Sequence, residues 1–313
     1  MTERIGAVVV TYHAPPASEA TIEAVSSQVE RLVVVDNGSD PTEQAWLRAT
    51  AARYGAQVIA NATNRGIAAA LNQGVCRLAD EGFAWVLLFD QDSRPVTDLV
   101  ERLLGARASA PESDRPALVG ANFFDPGKGE VQDPAALAGS EPLRRVESVI
   151  TSGTLLSTEA YRLVGPFRED FFIDYVDLEY CFRLRRHGYG VAISRDVLMT
   201  HTLGAYRTRW LWRVPVRTSN HAAVRHYFIT RNHLLVFRQQ LWAQPRWALV
   251  SLCNRVRIMG LTLLLEPERR RKLGYIAAGV LDAIRARTDR NPLVDAVGPV
   301  EVSGARGQGS GWC

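Results

Sequence analysis

The chain has 313 residues, 47% hydrophobic and 22% charged, with a formal net charge of +4. This much apolar material excludes a disordered chain and fills one large domain or two smaller ones. Four cysteines (Cys76, Cys181, Cys253, Cys313) without CxxC spacing exclude a zinc module, and they read as buried thiols in a reducing compartment.

In chain order, the apolar run in MTERIGAVVVTYH suits a first strand over Ile5–Thr11 and is far too short for an export signal. Further β-branched runs at Leu32–Asp36, Gln57–Asn61 and Trp85–Asp90 alternate with helically spaced segments at Thr42–Tyr54 and Ile67–Leu78. That rhythm predicts an α/β fold, a mostly parallel sheet flanked by helices. Right-handed crossovers then place the strand C-termini along one edge, where open α/β sheets bind ligands. Just past the strands stand Thr11-Tyr12, Asp36-Asn37-Gly38-Ser39, Asn61 with Asn64-Arg65-Gly66, and Asp90-Gln91-Asp92. Tight βα turns use Asn, Gly and Ser anyway, so DNGSD alone is as well explained by turn chemistry; four such loops on one edge point to a nucleotide site.

Residues 117–147, containing DPGKGE and DPAALAG, read as an irregular Pro/Gly-rich loop over the sheet edge. Strand character returns in VESVITSGTLLST and breaks at Ser152-Gly153-Thr154, and a helix is expected from about Tyr175 to His187, ended by Gly188. Beyond Met199 the pattern turns helical over Asn220–Leu241 and Leu249–Leu265. The longest uninterrupted apolar stretch there, Ile258–Leu265, predicts that neither helix spans a bilayer. The expected organisation is a nucleotide-binding catalytic domain over 1–205, a basic helical region over 206–300 and a disordered tail over 301–313.

Charge divides along the same line. Residues 1–200 hold 19 basic and 27 acidic side chains, whereas residues 201–313 hold 18 and 6, with five of the seven tryptophans. Arginines on one helix face with Trp and Leu on another fit a membrane interface, and Arg269-Arg270-Arg271-Lys272 adds attraction to anionic headgroups. A helical lid with solvated arginines explains the same residues. No nucleic-acid-binding fold or stacking platform is apparent, so nucleic acid is not an expected partner.

Three constellations bear chemistry. In AWVLLFDQDSRP, Asp90 and Asp92 lie two apart in extended chain and point the same way beyond the sheet edge. Paired carboxylates there suit Mg²⁺ or Mn²⁺ shared with a nucleotide diphosphate. A phosphatase with a D-x-D nucleophile is disfavoured, because the motif follows the fourth strand and the only lysines are Lys128 and Lys272. In FFIDYVDLEYCFRLRRHGYG, acids at a helix start suit the helix dipole, yet Asp174 or Asp177 also suits a general base for an acceptor hydroxyl. His201, in VLMTHTLG, taken alone is more often structural than a ligand.

The ordered motifs VVVTY, VVVDNGSD, NRGIAAALNQG, LLFDQDS, TSGTLLS, FIDYVDLEYCFRLRRHGY, HTLG and HYFITRN give the chain its resemblance. Over about residues 4–235 it resembles the inverting glycosyltransferases of family 2, with the GT-A fold, and most closely their bacterial rhamnosyltransferase branch. The resemblance implies that Thr11 and Tyr12 hold the nucleotide and that Asp36, beside Asn37, contacts base or ribose. Asn64, Gly66 and Asn72 then line the nucleotide pocket, Asp90 faces the ribose next to Gln91, and Asp92 with His201 binds the metal. Ser152, Gly153 and Thr154 line the acceptor side, and Arg231 neutralises the leaving diphosphate. Relatives with adjacent Glu-Asp leave the base to Asp174 or Asp177; Asp177 is preferred, with Asp174 on the acceptor side. The implied reaction moves a sugar, L-rhamnose from dTDP-L-rhamnose first, to a glycan or lipid-linked acceptor for surface polysaccharide, at the cytoplasmic face of the plasma membrane. UDP-galactofuranose or UDP-GlcNAc donors, a DxD phosphatase or sugar-nucleotide hydrolase, and a non-catalytic binding module are the alternatives.

Overall fold

A computed structural model describes residues 3–295 apart from 113–114, 205–206, 212 and 219. The expected tail at 301–313 and Cys313 lie outside the described residues. The chain forms two compact units, one of residues 1–172 and 176–203, the other of 173–175 and 204–313.

The first unit runs β1 (Ile5–Thr11), α1 (Glu19–Ser26), β2 (Arg31–Asp36), α2 (Pro41–Arg53), β3 (Gln57–Ala60), α3 (Ile67–Asp80), β4 (Trp85–Asp90), β5 (Arg94–Pro95) and α4 (Leu99–Ala108). It continues with β6 (Leu118–Asp125), β7 (Glu130–Val131), α5 (Pro134–Leu137), β8 (Leu143–Arg145), β9 (Thr154–Ser157), α6 (Thr158–Val164), α7 (Val176–Arg186) and β10 (Val191–Thr200). Among the described residues the sheet has ten strands in the order β3-β2-β1-β4-β9-β6-β10-β5, with β7 beside β6 and β8 beside β10. β1, β2, β3 and β4 are mutually parallel, as are β6 and β10, while β9 runs antiparallel between β4 and β6. The near-continuous apolar runs of β1, β2 and β4 are buried, as expected of strands covered on both faces. α3 lies close on β1, where an added Cβ at Gly74 would meet Val8 at 2.5 Å. α2 starts cleanly because Asp40 and Glu43 form a capping box around Pro41 at its first position.

The segment 117–147 departs from the irregular loop the sequence predicts. Within it Leu118–Asp125, LVGANFFD, form β6, a central strand with all but one residue buried. Flanking Pro and Gly disguise it; pairing with both β9 and β10 makes it a strand. The thiols also differ from expectation: of the free cysteines, Cys181 is buried, its thiol pushed up to about 12 by desolvation, whereas Cys253 is exposed.

The second unit comprises Ile173–Tyr175, a hairpin of β11 (Arg207–Leu211) and β12 (Val214–Thr218), and helices α8 (Arg225–Gln240), α9 (Pro245–Leu265), α10 (Arg269–Ile284) and α11 (Pro292–Asp295). α10 meets α8 closely at Gly279, where a Cβ would lie 2.7 Å from the Tyr227 carbonyl oxygen, and Tyr227 Oη donates to Asp282 at 2.9 Å. Lys272 and Glu266 form a buried ion pair at 2.6 Å. α9 corrects the reading that no helix here could span a bilayer. It is 21 residues long and apolar enough by length and composition, and little of it is buried. It begins at Pro245, four residues earlier than expected, and its arginines are too few to break the apolar character.

Candidate active site

The loops at the C-terminal ends of β1, β2 and β4 meet as the parallel register requires. Thr11 stands opposite Asp36, and Val10 opposite Asp90. Gln91 ties two of these loops together: Tyr12 N–H donates to its Oε1 at 2.8 Å, and its Nε2 donates back to the Tyr12 carbonyl at 3.1 Å. The Gln between the two aspartates therefore acts as a backbone mimic, leaving the Tyr12 ring exposed beside it.

Asp90, Asp92 and His201 converge. One ligand atom from each lies within 4.8 Å of the others. Burial, then the adjacent charge of Asp92, pushes the Asp90 carboxyl up to about 7. Desolvation lowers the His201 pKa although Asp92 and Asp125 raise it, so the imidazole is neutral near pH 7, the form that binds metals. His201 Nδ1 is 2.8 Å from Ser93 Oγ, which is 2.6 Å from Ser152 Oγ, and Ser152 Oγ accepts from Asp90 N–H at 3.0 Å. Two crowded carboxylates and a neutral imidazole within reach of one point fit a hard divalent cation. Asp90, expected at the ribose, thus joins the metal-type cluster.

Sequence reasoning missed Ser93 and Asp125, both buried. Ser93 sits 108 residues from its partner His201. Asp125 accepts from Gly127 N–H at 2.9 Å and stands 3.7 Å from Lys128 Nζ. Only the serine following DQD offered any signal.

Several of the residues expected at the ligand are hydrogen-bonded into the framework. Asp36 takes four donors, from Ser39 N–H and Oγ, Gln44 Nε2 and Thr11 Oγ1, and is 1% exposed. Asn37 donates to Asn64 Oδ1 and the Gly66 carbonyl and accepts from Asn61 Nδ2 and Arg65 N–H, so its amide is also filled. Asn72 is buried. It donates to the Phe167 carbonyl and Glu169, and accepts from Tyr161 Oη and Phe167 N–H. An amide offers two donors and about two acceptor sites, so none remains for a ligand. Gly66 belongs to the same framework. At φ +86 its Cβ would fall 2.6 Å from the Phe172 carbonyl oxygen, so only glycine fits.

Asp177 opens α7 and lines a small cavity with Leu88, Thr151, Thr154, Phe167 and Cys181, which sets it against the Ser152-Gly153-Thr154 turn. Gly153 has φ +72 and packs under Met199, so that turn too requires glycine. Asp174 belongs to the second unit, where both its oxygens face Arg225 at 2.9 Å. That ion pair engages both oxygens of Asp174. Arg231, expected at the diphosphate, is fully buried within the second unit: its Nε donates to Asn232 Oδ1 and its Nη1 to the Arg290 carbonyl.

The family model described as Glycosyl transferase family 2 matches residues 7–128, from β1 through the aspartate pair into β6. The dTDP-rhamnosyl transferase RfbF of Shigella flexneri is 29% identical over 308 residues, covering 92% of this chain and 98% of that one. The chain is a glycosyltransferase with a family 2 domain. Solved structures agree on its fold. S. aureus TarS 1-349 superposes with TM-score 0.60 at 13% identity, covering 91% of this chain and 82% of that one. The mannosyltransferase PcManGT from Pyrobaculum calidifontis, in complex with GDP-Man and Mn²⁺, gives 0.57 at 16%, covering 92% and 88%. The transferase therefore has the GT-A fold, with its acidic pair at the end of β4 and a helical C-terminal region.

Proposed function

We propose that this glycosyltransferase moves L-rhamnose from dTDP-L-rhamnose to a glycan or lipid-linked acceptor in a metal-dependent, inverting displacement. The donor rests on the similarity to a dTDP-rhamnosyl transferase along nearly the whole chain. The metal rests on one observation, the convergence of Asp90, Asp92 and His201. These three residues would hold Mg²⁺ or Mn²⁺, which when bound supplies positive charge to the leaving diphosphate. Thr11, Tyr12, Asn64 and Gly66 shape the nucleotide side, Tyr12 being exposed for a base. Ser152, Gly153 and Thr154 shape the acceptor side. Asp177 accepts the proton of the attacking hydroxyl, and the anomeric carbon is attacked from the face opposite the nucleotide.

α9 and the arginines around it fit a membrane surface on the cytoplasmic side, where a lipid-linked acceptor resides. Leu249, Val250, Val256 and Leu264 are exposed along it, and Arg269–Arg271 follow. Sedimentation with anionic and with neutral vesicles tests this; equal recovery in the two pellets refutes an electrostatic contribution.

Calorimetric titration with dTDP, UDP and GDP, each with and without Mn²⁺, tests the donor. Mn²⁺-dependent dTDP binding that Asp92→Asn abolishes is the expected result. Mn²⁺-dependent UDP binding instead would replace rhamnose by a UDP-sugar, and binding of none would refute the transferase site.

A further inference from the structure

Ser152 Oγ holds two of the three cluster residues. It accepts from Asp90 N–H at 3.0 Å, which carries the bonding of β4 past its last pair with β9, Leu88 opposite Thr154. It also lies 2.6 Å from Ser93 Oγ, and Ser93 Oγ lies 2.8 Å from His201 Nδ1. Ser93, Ser152 and His201 are all buried, so solvent does not compete for these bonds. Gly153 anchors the same turn through its backbone. Its N–H donates to the Leu88 carbonyl at 2.8 Å, and its carbonyl accepts from Ala121 N–H at 2.8 Å. A Cβ on Gly153 would lie 2.5 Å from Sδ of Met199, which stands on β10 two residues before His201. The turn thus touches the end of β4, which bears Asp90, and the end of β10, just past which His201 stands. Every one of these residues belongs to the first unit.

Given that Asp90, Asp92 and His201 hold the cation, we propose that Ser93 and Ser152 are positioning residues that tie it to the Ser152-Gly153-Thr154 turn, so that filling the cluster orders the turn. Without a cation nothing draws the cluster together, and its two neighbouring carboxylates repel each other. Ser152 Oγ then fixes the Asp90 backbone, and Ser93 fixes the His201 ring. Hydrogen bonds that orient ligand residues in this way are worth about 10–100-fold in metal affinity. The coupling is reciprocal: an ordered turn that favours the cation by some factor is itself favoured by the cation by the same factor. An acceptor that meets this turn therefore meets a fixed surface once the cation is in place. Hydroxyls that merely satisfied buried neighbours would lower stability when removed and leave cation affinity alone.

The test compares the full chain with Ser93→Ala, Ser152→Ala and the double variant. Ser93→Ala leaves Asp90 N–H its partner, so it decides the matter by itself if Ser152→Ala does not fold. Mn²⁺ affinity is read by calorimetry, and amide hydrogen exchange is read over residues 151–154, with β3 as the reference, with and without Mn²⁺. Ser93→Ala is expected to weaken Mn²⁺ binding about 10–100-fold. The double variant should lose less than the product of the two single losses, because the two hydroxyls belong to one chain of bonds. In the unmodified protein, Mn²⁺ at about 100 times its Kd should slow exchange over 151–154 at least about tenfold and over β3 less than about twofold. In Ser93→Ala, at about 100 times its own Kd, the slowing over 151–154 should shrink to less than about twofold. Unchanged Mn²⁺ affinity in Ser93→Ala, losses that multiply in the double variant, or equal slowing of the turn and β3 would each overturn the link. Mn²⁺ binding that Asp92→Asn abolishes and Ser93→Ala leaves intact overturns the link alone. If the unmodified protein binds no Mn²⁺, with or without dTDP, the metal reading fails and the link falls with it.

Discussion

Asp90→Asn should stabilise the metal-free protein, and by an amount that depends on pH. The Asp90 carboxyl is pushed from 3.8 to about 7, first by burial and then by the charge of Asp92. Between those values the native state holds a proton that the unfolded chain has released, so stability falls as pH rises from about 4 to about 7 and levels off above. With each pKa unit a factor of ten in the folding equilibrium, the ionised carboxylate costs about 4 kcal/mol at pH 8 and about 2 kcal/mol at pH 5. Asparagine keeps the shape and removes the charge. The gain from Asp90→Asn should therefore be about 2–3 kcal/mol larger at pH 8 than at pH 5. Urea unfolding of both proteins with EDTA at the two pH values measures it. Mn²⁺ should reverse the ranking, since a cation between Asp90, Asp92 and His201 removes the repulsion in the parent and finds one carboxylate fewer in the variant. Equal gains at both pH values, or no gain at pH 8, would refute the argument that Asp90 is a partly buried carboxylate repelled by Asp92.

Asp177→Asn should abolish turnover while leaving Mn²⁺-dependent nucleotide binding intact, because the change removes the proton acceptor and leaves the loops of β1, β2 and β4 untouched; parallel calorimetry and product assays separate the two. Asn72→Ala should leave nucleotide affinity unchanged and lower stability by about 2–3 kcal/mol, since it strands the Phe167 N–H and carbonyl and the Tyr161 hydroxyl in the interior. A drop in nucleotide affinity larger than the loss of folded protein would return Asn72 to the donor pocket. Mn²⁺ affinity should fall as pH drops below about 7, where Asp90 takes up a proton; calorimetry at pH 6 and pH 8 reads this directly, and a pH-independent affinity would remove Asp90 from the ligand set.

Much of the first unit was legible because short continuous apolar runs bounded by turn residues are local signals. Ile5–Thr11 and Trp85–Asp90 match β1 and β4 residue for residue. The aspartate pair was legible as acids directly after an apolar run, though β4 ends at Asp90 and a turn, not extended chain, carries Asp92. β6 was not, since its pairing with β9 and β10 outweighs the Pro and Gly around it. α10, with its run of arginines at the start, was likewise read as charge rather than as a helix.

Sequence alone determined the α/β class, the edge on which the polar loops gather, and the pair of acids that follows the fourth strand. Tertiary structure alone decided which polar residues remain available to a ligand. Asn72 and Arg231 carry the same chemistry as true ligands, and a sequence cannot show that Phe167 and Tyr161, or Asn232 and Arg290, have already taken their hydrogen bonds. His201 and Asp174 differ from them only in partners: Ser93, 108 residues away, orients the first beside Asp92, and Arg225 occupies the second. Hydrogen-bond capacity is finite, and residues distant in the chain spend it only when folding brings them together.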